Sequence, residues 1–144
     1  MKNLIKKPRK LNIYFDIDGV LLGTASPKRD IIKLLKYVLK NYPNSTYWLT
    51  THCQGEINRT NEVLLHEFPD SLVDQIYATF KPTTWGVLKT EAIDMDSDFV
   101  WFDDNLFESE RQILEKYLVA DGHFRMNPKD SKMAKKALRF LKNF

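Results

Sequence analysis

The chain has 144 residues, 43% of them hydrophobic and 28% charged, with 22 Lys and Arg against 19 Asp and Glu for a net charge of +3. That is the size and composition of one globular domain, so an intrinsically disordered chain and a disulfide-stapled scaffold are both excluded. A single cysteine, Cys53, cannot form an internal disulfide, which makes the cytoplasm the expected setting.

The first ten residues form a basic lead-in with Lys2, Lys6, Lys7, Arg9 and Lys10, and residues 11–144 are expected to form the one domain. The apolar segment after the lead-in is interrupted at Asp16, too early for a signal-peptide core, and no run reaches the roughly 20 apolar residues of a membrane span. No membrane partner is expected. The C-terminal segment is also basic, with Lys129, Lys132, Lys135, Lys136, Arg139 and Lys142. Such clusters attract polyanions by counterion release, so nucleic acid is a candidate partner; the plainer reading is a solvated tail and the outer face of a helix.

In chain order, residues 11–16 read as an apolar strand and residues 23–27 as a loop. Residues 30–40 space their apolar side chains for a helix that stops before the turn cluster at 41–44. Residues 45–51, rich in β-branched and aromatic side chains, predict a second strand with a polar end at Thr50-Thr51-His52. A helix is expected over 55–67, and the apolar pairs Leu72-Val73 and Ile76-Tyr77 suggest a short strand within 71–80. After a loop at 81–84, a short helix over 85–93 carries Lys89. Residues 98–105 read as another apolar strand ending in acids, followed by a helix over 106–118, a last strand over 123–126 and a final helix over 131–144. Strands alternating with helices predict an α/β fold, a three-layer αβα sandwich around a parallel sheet of about five strands.

In such sheets the reactive groups gather beyond the carboxyl ends of the strands. Asp16 and Asp18 stand two apart at the end of the first strand, so they start on one face. Two carboxylates held together repel unless something positive compensates them. Asp103 and Asp104 repeat the theme at a second strand end. Four such carboxylates suggest a hard divalent cation, and Mg²⁺ is the natural candidate because it prefers oxygen ligands. Zinc lacks a second cysteine. A calcium loop starting at Asp16 fails at Val20, Leu21 and Pro27.

Four segments, in order, match the motifs of a family. Asp16-Ile17-Asp18-Gly19-Val20 ends an apolar strand, Tyr47-Trp48-Leu49-Thr50 is a strand ending in a hydroxyl, Lys89 opens a helical segment, and Val100-Trp101-Phe102-Asp103-Asp104 is an apolar strand ending in paired acids. On these residues the chain resembles the haloacid dehalogenase (HAD) superfamily of phosphotransferases, from Leu11 to about Met126.

The resemblance implies a Rossmann-like HAD fold and a Mg²⁺-dependent phosphatase. Asp16 would be the nucleophile that forms an aspartyl-phosphate, and Asp18 the acid and base. Mg²⁺ would be held by Asp16, the backbone carbonyl of Asp18 and Asp103, with Asp104 completing or orienting its shell. Thr50 and Lys89 would bind the transferring phosphoryl group, with Thr51 as the alternative hydroxyl and Lys81 as the alternative lysine. His52, Gln54 and Arg59 follow the second strand and could touch substrate.

Neither the 22–30 segment nor 54–89 has room for the cap domain that many members carry. The expected site is therefore open and suits a large phosphorylated substrate, such as a nucleic-acid end or a phosphoprotein. Small members with a similar fourth motif are associated with nucleic-acid end repair. The other expectation is a phosphate-binding regulatory or interaction module with little turnover.

Overall fold

The computed structural model describes residues 10–144; most of the basic lead-in, residues 1–9, lies outside the described residues. The chain runs β1 (Leu11–Phe15), α1 (Lys28–Asn41), β2 (Thr46–Trp48), β3 (Cys53–Gln54), β4 (Ile57–Asn58), α2 (Thr60–Leu64) and α3 (Asp70–Thr79). A 3-10 turn at Lys89–Ala92 then leads to β5 (Asp98–Asp103), α4 (Glu108–Lys116), a second 3-10 turn at Ala120–Gly122, β6 (His123–Arg125) and α5 (Met133–Lys142).

Four strands form one parallel sheet in the order β2-β1-β5-β6. β1 is buried along its whole length, as a central strand covered on both faces must be. Its side chains alternate between two cores. Ile13 and Phe15 join Val100 and Phe102 beneath α1, α3 and α5, through side chains such as Leu34, Ile76 and Ala137. Tyr14 joins Phe99 and Trp101 on the other face, against Leu114 of α4 and the loop residues Trp85 and Ile93. Phe15 and Phe102 stack across the β1–β5 pair with ring centroids 5.0 Å apart. That contact fixes the register at the sheet's centre, beside the acids that follow.

The structure thus has helices on both faces of a parallel sheet. Its strand number is four among the described residues rather than about five. An isolated parallel bridge between Tyr47 and Lys81 extends the edge beyond β2 without making another strand.

Three segments differ from the sequence reading. Residues 70–79 are helical, because Leu72, Val73 and Ile76 fall on one buried face of α3 and Phe80 follows into the same core. The spacing i, i+1, i+4 serves a helix as well as it serves paired strand residues. The expected helix over 55–67 is instead a β3–β4 hairpin followed by the single-turn helix α2. Gly55 takes φ +63° at the hairpin turn, a backbone conformation that glycine adopts without steric cost. Residues 85–93 form a loop and a 3-10 turn rather than one helix. The three tryptophans, Trp48, Trp85 and Trp101, are all buried.

His123 at the start of β6 meets Trp101 edge-on, with ring centroids 4.8 Å apart, and its Nε2 has no hydrogen-bond partner among the described residues. Burial pushes its pKa from 6.5 down to about 4, with the nearby Arg125 and Lys89 charges adding to the effect. The unfolded chain therefore takes up a proton between pH 6.5 and 4 that folded His123 refuses. This contribution to stability is complete above pH 6.5 and falls away on acidification, by about 2–3 kcal/mol at pH 4. Urea denaturation of the wild type and of His123→Gln across pH 4–8 measures it: the wild type should lose stability on acidification more steeply than the variant, and parallel curves would refute the assignment.

Candidate active site

The carboxyl ends of β1, β2 and β5 meet because the sheet puts them side by side. The Asp16 N–H donates to the Phe102 carbonyl (3.0 Å), and the Leu49 N–H donates to the Phe15 carbonyl (2.8 Å). Asp16 and Asp103 therefore leave adjacent strands at the same level, both buried. Just beyond Asp16 the chain turns back on itself, with the Leu21 and Leu22 N–H groups donating to Ile17 O and the Gly19 N–H donating to Leu22 O. Gly19 sits at φ +77°, and a Cβ there would collide with Asp104 Oδ2. The turn needs glycine both for its backbone and for the closeness of Asp104.

Lys89 reaches into this group. Its ammonium lies 2.7 Å from Asp103 Oδ2 and 3.2 Å from Asp16 Oδ2. Burial works to lower the lysine pKa, but Asp16 and Asp103 together outweigh it, so the group is held above its ordinary value and stays charged. The Asp103 carboxyl is also pushed up, well above the usual range, by its burial and by the Asp16 charge, against the pull of Lys89. The remaining oxygens are also fixed: Asp16 Oδ1 accepts the Ile17 N–H (2.8 Å), and Asp103 Oδ1 accepts the Asn105 N–H (3.0 Å). Lys81, the alternative lysine, is elsewhere; its Nζ donates to the Asn44 carbonyl (2.8 Å) and lies over the Tyr47 ring.

Side-chain oxygens of Asp16, Asp103 and Asp104 lie within 4.8 Å of one another. The donor set is all oxygen, with no thiolate or imidazole, and the Gly19 turn leaves room for Asp104 beside it. These residues fit a hard divalent cation such as Mg²⁺.

The Asp18 side chain is not part of that cluster. It is 69% exposed and its Oδ2 lies 2.8 Å from His52 Nε2. His52, a candidate substrate contact, thus lies against this second aspartate. Thr50, two residues past β2, is fully buried, its Oγ1 accepting the His52 N–H (3.3 Å), whereas Thr51 is exposed. Arg59 is exposed and precedes α2, beside the hairpin.

Thr51 faces a cavity of about 370 Å³ that continues to Lys89 and Asp103 and is also lined by Gln54, Trp85, Val87, Asn105, Phe107 and Glu110. Several of these were not visible as site residues in the sequence. Glu110 is the most structural of them: only 2% exposed, it accepts the Lys89 N–H on Oε2 (3.0 Å) and the Phe107 N–H on Oε1 (3.1 Å). It thereby ties the start of α4 to the segment that delivers the lysine. The sequence signal was an acid in the first turn of a helix, which ordinarily indicates only a favourable helix dipole. The loop at 86–88 is held by Glu91, whose carboxylate accepts N–H groups from Leu88 (2.7 Å), Val87 (3.0 Å) and Gly86 (3.3 Å) and is kept below the usual carboxylate pKa by them.

No family model, curated protein or solved structure matches the chain. The functional reading therefore rests on its own residues and geometry. Among the described residues, no helix is long and apolar enough to cross a membrane.

Proposed function

We propose that this chain is a Mg²⁺-dependent phosphoric monoester hydrolase of HAD type that works through an aspartyl-phosphate on Asp16. The observation that carries the reading is one buried cluster: Asp16 and Asp103 on adjacent strand ends, bridged by Lys89 at 3.2 and 2.7 Å. A purely structural strand end does not need two buried carboxylates and an ammonium ion gathered at its tip, since breaking or burying such charges costs several kcal/mol.

In this reading Asp16 attacks phosphorus with one carboxylate oxygen, and the bond from phosphorus to the ester oxygen breaks. Asp18 gives its proton to that leaving oxygen. Water then attacks the phosphorus of the aspartyl-phosphate, its proton passes to Asp18, and the bond to Asp16 breaks to release inorganic phosphate. His52 keeps the exposed Asp18 carboxylate in one orientation between the two steps. Lys89 supplies positive charge to the phosphoryl oxygens, with the hydroxyls of Thr50 and Thr51 near the same strand end. A Mg²⁺ ion held by Asp16, the Asp18 carbonyl, Asp103 and Asp104 would offset the repulsion between carboxylate and phosphate.

On the substrate side, a phosphorylated polyanion such as a nucleic-acid strand fits a second feature. A groove of about 510 Å³ between α1 and α5 is lined by Lys33, Lys135, Arg139 and Lys142, together with Asp30. None of the four cations is ion-paired among the described residues.

The test is turnover of a phosphate-monoester panel, including phosphorylated oligonucleotide ends, with Mg²⁺ and with a chelator. Hydrolysis that requires Mg²⁺ is expected. Absence of Mg²⁺-dependent release of phosphate from every member would sink the proposal.

A further inference from the structure

The cavity beside the reactive cluster has an unusual mouth. Val87 is 82% exposed and Phe107 is 57% exposed, and both line it with the buried Trp85. Exposed large apolar side chains scattered singly need no explanation, but two from distant segments that share one cavity with a charged centre do. Both are held from behind. The Val87 N–H is fixed by Glu91, the Phe107 N–H by Glu110, and the Trp85 Nε1–H donates to the Cys53 carbonyl (3.1 Å). These apolar surfaces are presented to solvent by a braced frame.

The cavity joins the reaction centre directly, because Lys89 and Asp103 are also part of its wall. Thr51, the chain neighbour of the histidine that holds Asp18, lines it too. A phosphoryl group bound by Lys89 would therefore have the rest of its ester in or beside this space. At about 370 Å³ the cavity falls in the size range of small-molecule sites. Beside Lys89, Asp103 and Glu110, its polar lining comes from Thr51, Gln54 and Asn105, and the Gln54 amide nitrogen is engaged with the Gly86 carbonyl.

We infer that this cavity is the leaving-group site and that it selects phosphate esters whose leaving group carries a flat aromatic ring, seated against Trp85, Val87 and Phe107. The inference rests on the hydrolase reading above. In the reaction the bond from phosphorus to the ring-bearing group's oxygen breaks, Asp18 protonates that oxygen, and the ring stays in the cavity until it dissociates. A nucleoside and an aryl alcohol both offer such a ring. An aliphatic alcohol offers none, and forfeits the apolar contact that Val87 and Phe107 make available.

The experiment compares kcat/KM for adenosine 5′-monophosphate, phenyl phosphate and glycerol phosphate, with Mg²⁺, in the wild type, Val87→Ser and Phe107→Ser. Both side chains are exposed, so the variants should fold. At least one aromatic ester should exceed glycerol phosphate by about tenfold, and each substitution should remove most of that excess through KM while leaving glycerol phosphate unchanged. Preference for the nucleotide assigns the ring to a nucleoside; preference for phenyl phosphate assigns it to an aryl alcohol.

Equal use of all three esters by the wild type, or equal losses on all three in the variants, would overturn the inference. If none is hydrolysed, the hydrolase reading is judged by the wider ester panel above, and the ring site is read separately by NMR with benzylphosphonate. A shift of the Trp85 indole resonance that weakens in Val87→Ser supports the site, and no shift at saturating ligand rejects it.

Discussion

Asp16→Asn should reduce kcat by at least about 10⁴-fold while leaving the fold intact. The amide is isosteric, so the loss reports chemistry rather than packing. Its carbonyl oxygen can still accept the Ile17 N–H that Asp16 Oδ1 accepts now at 2.8 Å. What the amide lacks is the negative charge and the nucleophilic oxygen pair that the attack on phosphorus requires. Replacing one of two apposed carboxylates also relieves repulsion on Asp103, whose raised pKa stems first from burial and next from Asp16. The variant should therefore unfold at a temperature no lower than the wild type, measured without metal. A variant that keeps a tenth or more of wild-type turnover would show that Asp16 is not the nucleophile.

The second large effect is expected at Lys89. Lys89→Met preserves most of the side-chain volume but removes the ammonium that faces both Asp16 and Asp103. The two carboxylate side chains are 11% and 2% exposed, so water cannot take over that compensation. Removing one partner from a buried charge group costs about 3–5 kcal/mol, part of which Asp103 recovers by keeping its proton. Activity should fall by a further mechanism, since a positive donor to the phosphoryl oxygens is worth about 10²–10³ in kcat. The two losses separate in the presence of Mg²⁺. With no ammonium competing for Asp16 Oδ2 and Asp103 Oδ2, Mg²⁺ should raise the melting temperature of Lys89→Met more than that of the wild type, while activity stays low. An equal Mg²⁺ response in both proteins would mean that lysine and cation do not share these oxygens.

The parts of the fold legible in the sequence are those whose local pattern and burial agree. β1 and the middle of β5 are mostly apolar because both faces of the sheet are covered, and Asp16 and Asp103 mark where the strands stop. α1 shows its helical period because one face meets the core and the other meets water. The pattern misleads where an element is short. Residues 70–79 offer only Leu72, Val73 and Ile76 to the core, too few to separate a helix from paired strand residues. At 53–58 the apolar Ile57 is 59% exposed in a hairpin strand, so it mimicked one side of a helix that does not exist.

The candidate site divides in the same way. Asp16, Asp103 and Asp104 were legible because strand order alone brings strand ends together. Lys89 was harder, since Lys81 competed with it until the tertiary path put one beside the acids and the other beside Asn44. The His52–Asp18 pair, the Glu110 brace and the Val87–Phe107 mouth bring together residues 20 to 34 positions apart, which no local pattern encodes.

The central claim is a covalent one, and it can be observed directly. The protein is mixed with a substrate carrying a labelled phosphoryl group, with Mg²⁺, quenched in acid within the first turnover, digested and mapped by mass spectrometry. The label should sit on the peptide containing Asp16, be removed by hydroxylamine as an acyl phosphate is, and be absent from Asp16→Asn. Active protein that releases phosphate with no label on that peptide at any quench time would contradict the account.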